Sequence, residues 1–129
     1  MSTQKTYFGN TEDFKMKSGE TLTALRFVKH GAADDKIAAI AAATDLAIGV
    51  LLEKTAREDV KVPVQQDGKC DVEAGGVCTR GKLAKIDSVG RVVDGTPATN
   101  EVIVGQFDSS ATAAGEYVKV KLMPAIKWP

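Results

Sequence analysis

Apolar and polar residues alternate with a period of two in two stretches of this chain. In Asp59–Val64, Val60, Val62 and Val64 point one way while Lys61 and Pro63 point the other. In Tyr117–Pro124, Val118, Val120 and Leu122 alternate with Lys119 and Lys121. That period predicts half-buried β-strands, and the two valine rows are expected to line the inside of one closed or nearly closed sheet. Pro63 has no N–H to give a ladder, so its strand is expected to border an edge. In Thr21–Lys29 the alternation slips by one between Ala24 and Leu25, as a bulge would cause.

The stretch Gly31–Asp45 is rich in alanine. Asp34 or Asp35 could cap a helix running to Ala43, but its apolar residues face no charged opposite side. A strand around Lys36–Ile40 with a turn at Ala43–Asp45 is the preferred reading. Turn chemistry recurs at Gln66-Asp67-Gly68, Ala74-Gly75-Gly76, Ser88-Val89-Gly90 and Asp94-Gly95-Thr96-Pro97. Short strands at such spacing predict an all-β fold: a small single-domain β-barrel or sandwich, with at most one short helix. A weak repeat supports it. Gly49–Leu52 followed by Arg57–Val62 resembles Gly105–Asp108 followed by Gly115–Val120, with the second copy two residues longer in its loop. Two copies of a strand–loop–strand unit imply related strand pairs, not a solenoid.

Residues 1–18 are polar, with Tyr7, Phe8, Phe14 and Met16 scattered among them, and read as an N-terminal arm preceding a domain over 19–129. The first residues, MSTQKTYFGNTEDF, carry no apolar signal core, so synthesis in the cytoplasm is expected. Length changes the picture little: 129 residues suit one core. Charge changes it more. Seventeen basic residues balance seventeen acidic ones with no basic cluster, which argues against nucleic acid and anionic lipid as partners. The longest apolar run, Ile37–Leu52, is broken by Thr44, Asp45 and Gly49 and is too short to span a membrane. Aromatics are only 5% of residues, so the core must be built from small branched side chains, and association would add useful burial.

Candidate chemistry is sparse. His30 is the sole histidine, and no serine sits in a G-x-S-x-G elbow. Cys70 and Cys78 form no C-x-x-C pair; free thiols are favoured over a cross-hairpin disulfide. Gly76–Leu83 nearly spells a phosphate-binding loop, but Leu83 stands where a Mg²⁺-binding hydroxyl belongs, and strand-like sequence follows. Phe14-Lys15-Met16-Lys17 and Asp35-Lys36-Ile37 weakly suggest carrier lysines. Asp34-Asp35 and Glu58-Asp59 are adjacent carboxylates, which on a strand face opposite ways and cannot pair as acid and base. The reading is non-enzymatic, with no catalytic residue, cofactor or metal.

Residues 33–124 carry a familiar order of short motifs: Ala43-Thr44-Asp45, Ile48-Gly49-Val50, Glu58-Asp59-Val60-Lys61-Val62, then AGGVCTRGKLAKIDSVGRVV over 74–93. Val104-Gly105 and Gly115-Glu116 through Pro124 repeat the later steps. This order resembles capsid decoration (head cement) proteins of tailed bacteriophages. Arg57 departs from the glycine usual in that loop, and residues 1–18 match nothing in the pattern. The resemblance implies a compact β-barrel-like domain, a homotrimer, seated on the outer surface of the virion. There it would bind the major capsid protein and stabilise the shell against DNA pressure. Tyr7, Phe8 and Phe14 in the arm, and Ile126 and Trp128 near the C-terminus, are the expected contacts, since buried aromatics commonly dominate interfaces. The alternative is a small non-catalytic β module for a glycan or small ligand within a larger assembly.

Overall fold

The computed structural model describes residues 11–16, 22–33, 36–53, 61–96 and 98–129, and among them it contains only strands, turns and loops. The first five strands are β1 (Thr11–Met16), β2 (Phe27–His30), β3 (Lys36–Ala39), β4 (Gly49–Leu51) and β5 (Lys61–Gln65). They close into a barrel in the order β1-β3-β2-β4-β5. The remaining five are β6 (Gly68–Glu73), β7 (Leu83–Ile86), β8 (Val92–Asp94), β9 (Val102–Phe107) and β10 (Tyr117–Lys127). They form a second sheet in the order β6-β10-β9-β7-β8. A parallel bridge from Ala74 to Val92 and a 2.8 Å bond from the Gly75 N–H to the Val92 carbonyl bring its two edges together. The all-β expectation holds, and the alanine-rich stretch supplies β3 followed by a turn over Ala43–Asp45.

The two sheets are copies of one another. β2 and β7 begin 56 residues apart, as do β3 and β8, and β5 and β10. The registers agree: Leu51↔Val64 in the first barrel becomes Phe107↔Val120 in the second, and Phe27↔Val50 becomes Leu83↔Gln106. The parallel contact of β1 with β3 recurs as the Ala74–Val92 bridge. The repeat thus spans nearly the whole chain, with β1 and β6 lying 58 instead of 56 residues apart, since Phe14 pairs with Val62 and Val72 with Val118. Between Gly49 and Val64 it needs no two-residue insertion, because the valine row aligns one strand repeat away from the match the sequence pattern suggests. Val62 corresponds to Val118, and Val64 to Val120.

That duplication corrects the single-sheet expectation. Val62 and Val64 line the first barrel with Leu22, Val28, Ile37 and Leu51, whereas Val118, Val120 and Leu122 belong to the larger core of the second sheet. Val60 lies outside the described residues. The cores meet because strands show two faces. Val28 and Leu51 point into the first barrel, while their neighbours Phe27 and Val50 join the second core.

Three local expectations change. Thr11–Met16, anticipated as part of the arm, is a barrel strand paired with β5 (Phe14↔Val62) and with β3 (Lys15↔Lys36). Residues 1–10 and 17–21 lie outside the described residues. The slip at Ala24–Leu25 is a turn instead of a bulge, with Leu25 in the left-handed region (φ 62°). Its N–H donates to the Leu51 carbonyl (2.6 Å) and its carbonyl accepts from the Glu73 N–H (2.8 Å), so this one residue ties β4 to β6. Finally, β5 has neighbours on both sides, so Pro63 borders no free edge. Its carbonyl accepts from the Leu52 N–H (3.0 Å) and no return bond is possible; β4 stops there for want of a donor.

Candidate interaction surface

Along β10 the alternation is strict as far as Leu122, because β6 covers one side of the strand and β9 the other. The last β6 pair is Leu122↔Gly68; beyond it β10 runs on with β9 alone. There the register shifts by two residues, from Leu122↔Gly105 to Ile126↔Ile103, around Pro124, which cannot donate to a ladder. The alternation then fails. Met123, Ile126 and Trp128 are 38, 52 and 39% exposed, and Tyr117 at the strand's start is 59% exposed. Four of the seven exposed large hydrophobic residues among the described residues therefore lie between 117 and 128.

This tail is held, not frayed. The Trp128 N–H donates to the Glu101 carbonyl (2.7 Å) and its carbonyl accepts from the Asn100 N–H (2.8 Å), with Asn100 in the left-handed region (φ 69°). The Glu101 carboxylate gathers the loop behind it. It accepts from Lys85 Nζ (2.8 Å), the Thr96 hydroxyl (2.8 Å) and N–H (3.0 Å), and the Ala98 N–H (3.2 Å). Burial alone would raise its pKa, but Lys85, Thr96 and Ala98 together outweigh that and hold it down at about 2. Ile126 and Trp128 are presented on a rigid support, which lowers the entropy cost of binding through them.

Of the residues expected to make contacts, Ile126 and Trp128 share this tail. Tyr7 and Phe8 lie outside the described residues. Phe14 is placed only by its backbone, opposite Val62. The pattern did not single out Met123 or Tyr117, although the Met123-Pro124 step after a clean alternation was the available signal. The candidate chemical groups remain apart. His30 ends β2, both cysteines are free and buried, and the stretch resembling a phosphate loop turns into β7 without a helix. No group of three or more His, Cys, Asp or Glu among the described residues is arranged to hold a metal. The Ala43-Thr44-Asp45 step does turn work: Asp45 accepts from Lys29 Nζ (2.9 Å) and from the Ala41 and Ala42 N–H groups. Two open hollows have volumes near 180 and 190 Å³, and among the described residues Phe27 is the only aromatic lining either. Drug-sized ligands occupy sites of roughly 300–1,000 Å³, larger than either hollow.

The fold is similar to that of the N base of head fiber gp8.5 of bacteriophage phi29. The TM-score is 0.70 and the identity 19%, over 90% of this chain and 97% of that one. No family model matches the chain, and no curated protein sequence does.

Proposed function

We propose that this protein is a structural component of a tailed-phage virion, seated on the outside of the head and stabilising the shell by bridging neighbouring coat subunits. The observation that carries the reading is the duplicated all-β fold shared along nearly its whole length with the base of a phage head fiber. The motif order over residues 33–124 points to the same class of protein by an independent route. The work is mechanical. Each docked copy buries area across a junction between coat subunits, and a homotrimer contributes three contacts, so modest single-site affinity becomes strong avidity.

The test is direct. Purified protein is mixed with expanded heads of the phage whose genome carries it, and the heads are imaged by cryo-electron microscopy. Regular added density over the shell is the expected result, with decorated heads surviving heat or low salt that bursts bare ones. Bare shells at saturating protein would reject the proposal.

A further inference from the structure

The larger hollow, near 190 Å³, lies where a turn of the first barrel meets the matching turn of the second. Ala43 and Thr44 line it from one barrel, and their counterparts 56 residues on, Thr99 and Asn100, line it from the other. Buried Ile86 adds to the apolar part of the lining, and the Lys85–Glu101 ion pair completes it. The charges of that pair cancel. Both Glu101 oxygens are already filled: Oε1 by the Thr96 and Ala98 N–H groups, Oε2 by Lys85 Nζ and the Thr96 hydroxyl. No carboxylate is left for a cation, and Lys85 is a compensated charge that offers little to an anion. What stays uncommitted is neutral. The Thr44 and Thr99 hydroxyls and the Asn100 amide are exposed and make no hydrogen bond among the described residues. Each of these groups both donates and accepts.

We infer that this hollow binds a neutral pyranose sugar. The ligand that matches it is uncharged, one ring in size, apolar across its face and rimmed with groups that donate and accept at once. Sugar hydroxyls have that double capacity, and the C–H face of a pyranose suits Ala43 and Ile86. A volume near 190 Å³ leaves room for one ring, whereas drug-sized ligands need more. A purely apolar ligand of the same size would cover two hydroxyls and an amide without giving them partners, which costs binding energy. The lining is also fixed in advance. Glu101 pins Thr96 and Ala98, and the Asn100 N–H donates to the Trp128 carbonyl (2.8 Å). A loop held in this way loses little freedom when it takes a ligand.

The inference does not depend on attachment to a phage head, so its test needs no heads and its failure leaves the proposed function standing. Saturation-transfer NMR of the full chain is run with glucose, galactose, mannose and N-acetylglucosamine in turn. At least one should show transfer to its ring protons, with a Kd of about 1–10 mM, the range for a dozen heavy atoms. Trp128 is the sole tryptophan and is bonded through its backbone to Asn100 and Glu101, so its emission supplies a second readout. The variants are Thr44→Val and Thr99→Val, which keep the shape without the hydroxyl, and Asn100→Gly, which keeps the left-handed turn (φ 69°) without the amide. All three positions are exposed, so the combined variant should keep the wild-type circular dichroism while losing at least tenfold in sugar affinity. Acetate and sulfate at matched ionic strength should not compete with the sugar. Absence of transfer to all four sugars would overturn the inference, as would unchanged binding by the folded triple variant or competition by either anion.

Discussion

Lys85 Nζ lies 2.8 Å from the Glu101 carboxylate, and 56 residues earlier Lys29 Nζ lies 2.9 Å from Asp45 in the same relation to its own turn. Each carboxylate ties a lysine on the second strand of its barrel to backbone N–H groups of the loop before the fourth strand: Ala41 and Ala42 in one copy, Thr96 and Ala98 in the other. Both acids are held below their ordinary pKa, Asp45 mainly by the Lys29 bond and Glu101 at about 2 against an unfolded value of 4.5. A depressed acid binds its proton more weakly in the folded chain than in the unfolded one. Its contribution is therefore fully present above pH 4.5 and is lost as the pH falls through about 2. Glu101 should supply roughly 1–3 kcal/mol of this. Urea unfolding of wild type against Glu101→Gln at pH 7 and pH 2.5 checks it: the gap should be wide at pH 7 and should shrink at pH 2.5. A constant gap would show that the carboxylate's charge plays no part.

Gly49 and Gly105 mark a second repeated contact. A Cβ on Gly49 would run into the Gln65 carbonyl oxygen and sit 2.8 Å from Val64 Cγ1; one on Gly105 would meet the Lys121 carbonyl oxygen and Val120 Cγ1 in the same way. Backbone cannot give way as a flexible side chain can. Gly49→Ala and Gly105→Ala should each lose about 1–3 kcal/mol. Gly81 is the control, since it needs φ +91° but a Cβ there meets nothing within 4 Å. Gly81→Ala should lose about 1 kcal/mol through backbone strain alone. Thermal melts of the three variants should rank them in that order.

These contacts show what the sequence could and could not reveal. The period-two rows around Val62 and Val120 were legible because each strand buries one face and wets the other. Gly49 and Gly105 were legible as paired steps of a repeat. The full duplication was not, because the chemically matched positions it keeps, such as Lys29 and Lys85 or Asp45 and Glu101, are sparse. The loops between them diverge freely. Leu25 takes up the left-handed turn that Gly81 makes in the other copy, and a leucine gives no outward sign of such a turn. At the surface, Ile126 and Trp128 stood out as large apolar residues near the end of the chain. That they are pinned depends on Asn100 and Glu101, far off in sequence and visible only once β9 and β10 are paired.

The two thiols should be unreactive in the folded protein. Burial pushes Cys70 up to about 12, with the Asp71 charge adding to it. Burial likewise raises Cys78 to about 11, with Asp94 and Glu116 adding to it. The thiolate is the reactive species, so at pH 8 almost none is present. A disulfide-exchange reagent at pH 8 should release under 0.1 equivalent within the time in which unfolded chain in urea releases two. Rapid release from the native protein would mean that the second core opens readily.

Gln65 sits at the corner where β5 passes into β6 and so joins the two barrels. Fully buried, it donates from Nε2 to the Asp67 carbonyl (2.8 Å) and the Lys69 carbonyl (2.9 Å), which fixes the amide orientation. Its Oε1 has no partner among the described residues. Gln65→Leu would strand two carbonyls but also remove the unpaired oxygen, so its net loss should be about 1–2 kcal/mol. Gln65→Glu should cost more at neutral pH, because it sets a buried carboxylate against two carbonyl oxygens. Its folded-state pKa should rise above the unfolded value, so the penalty should grow as the pH climbs from 4 to 7 and ease on acidification. Urea midpoints at both pH values decide it. If Gln65→Glu were no less stable than Gln65→Leu at pH 7, the corner would be open to water and would not be the sealed joint that couples the two barrels.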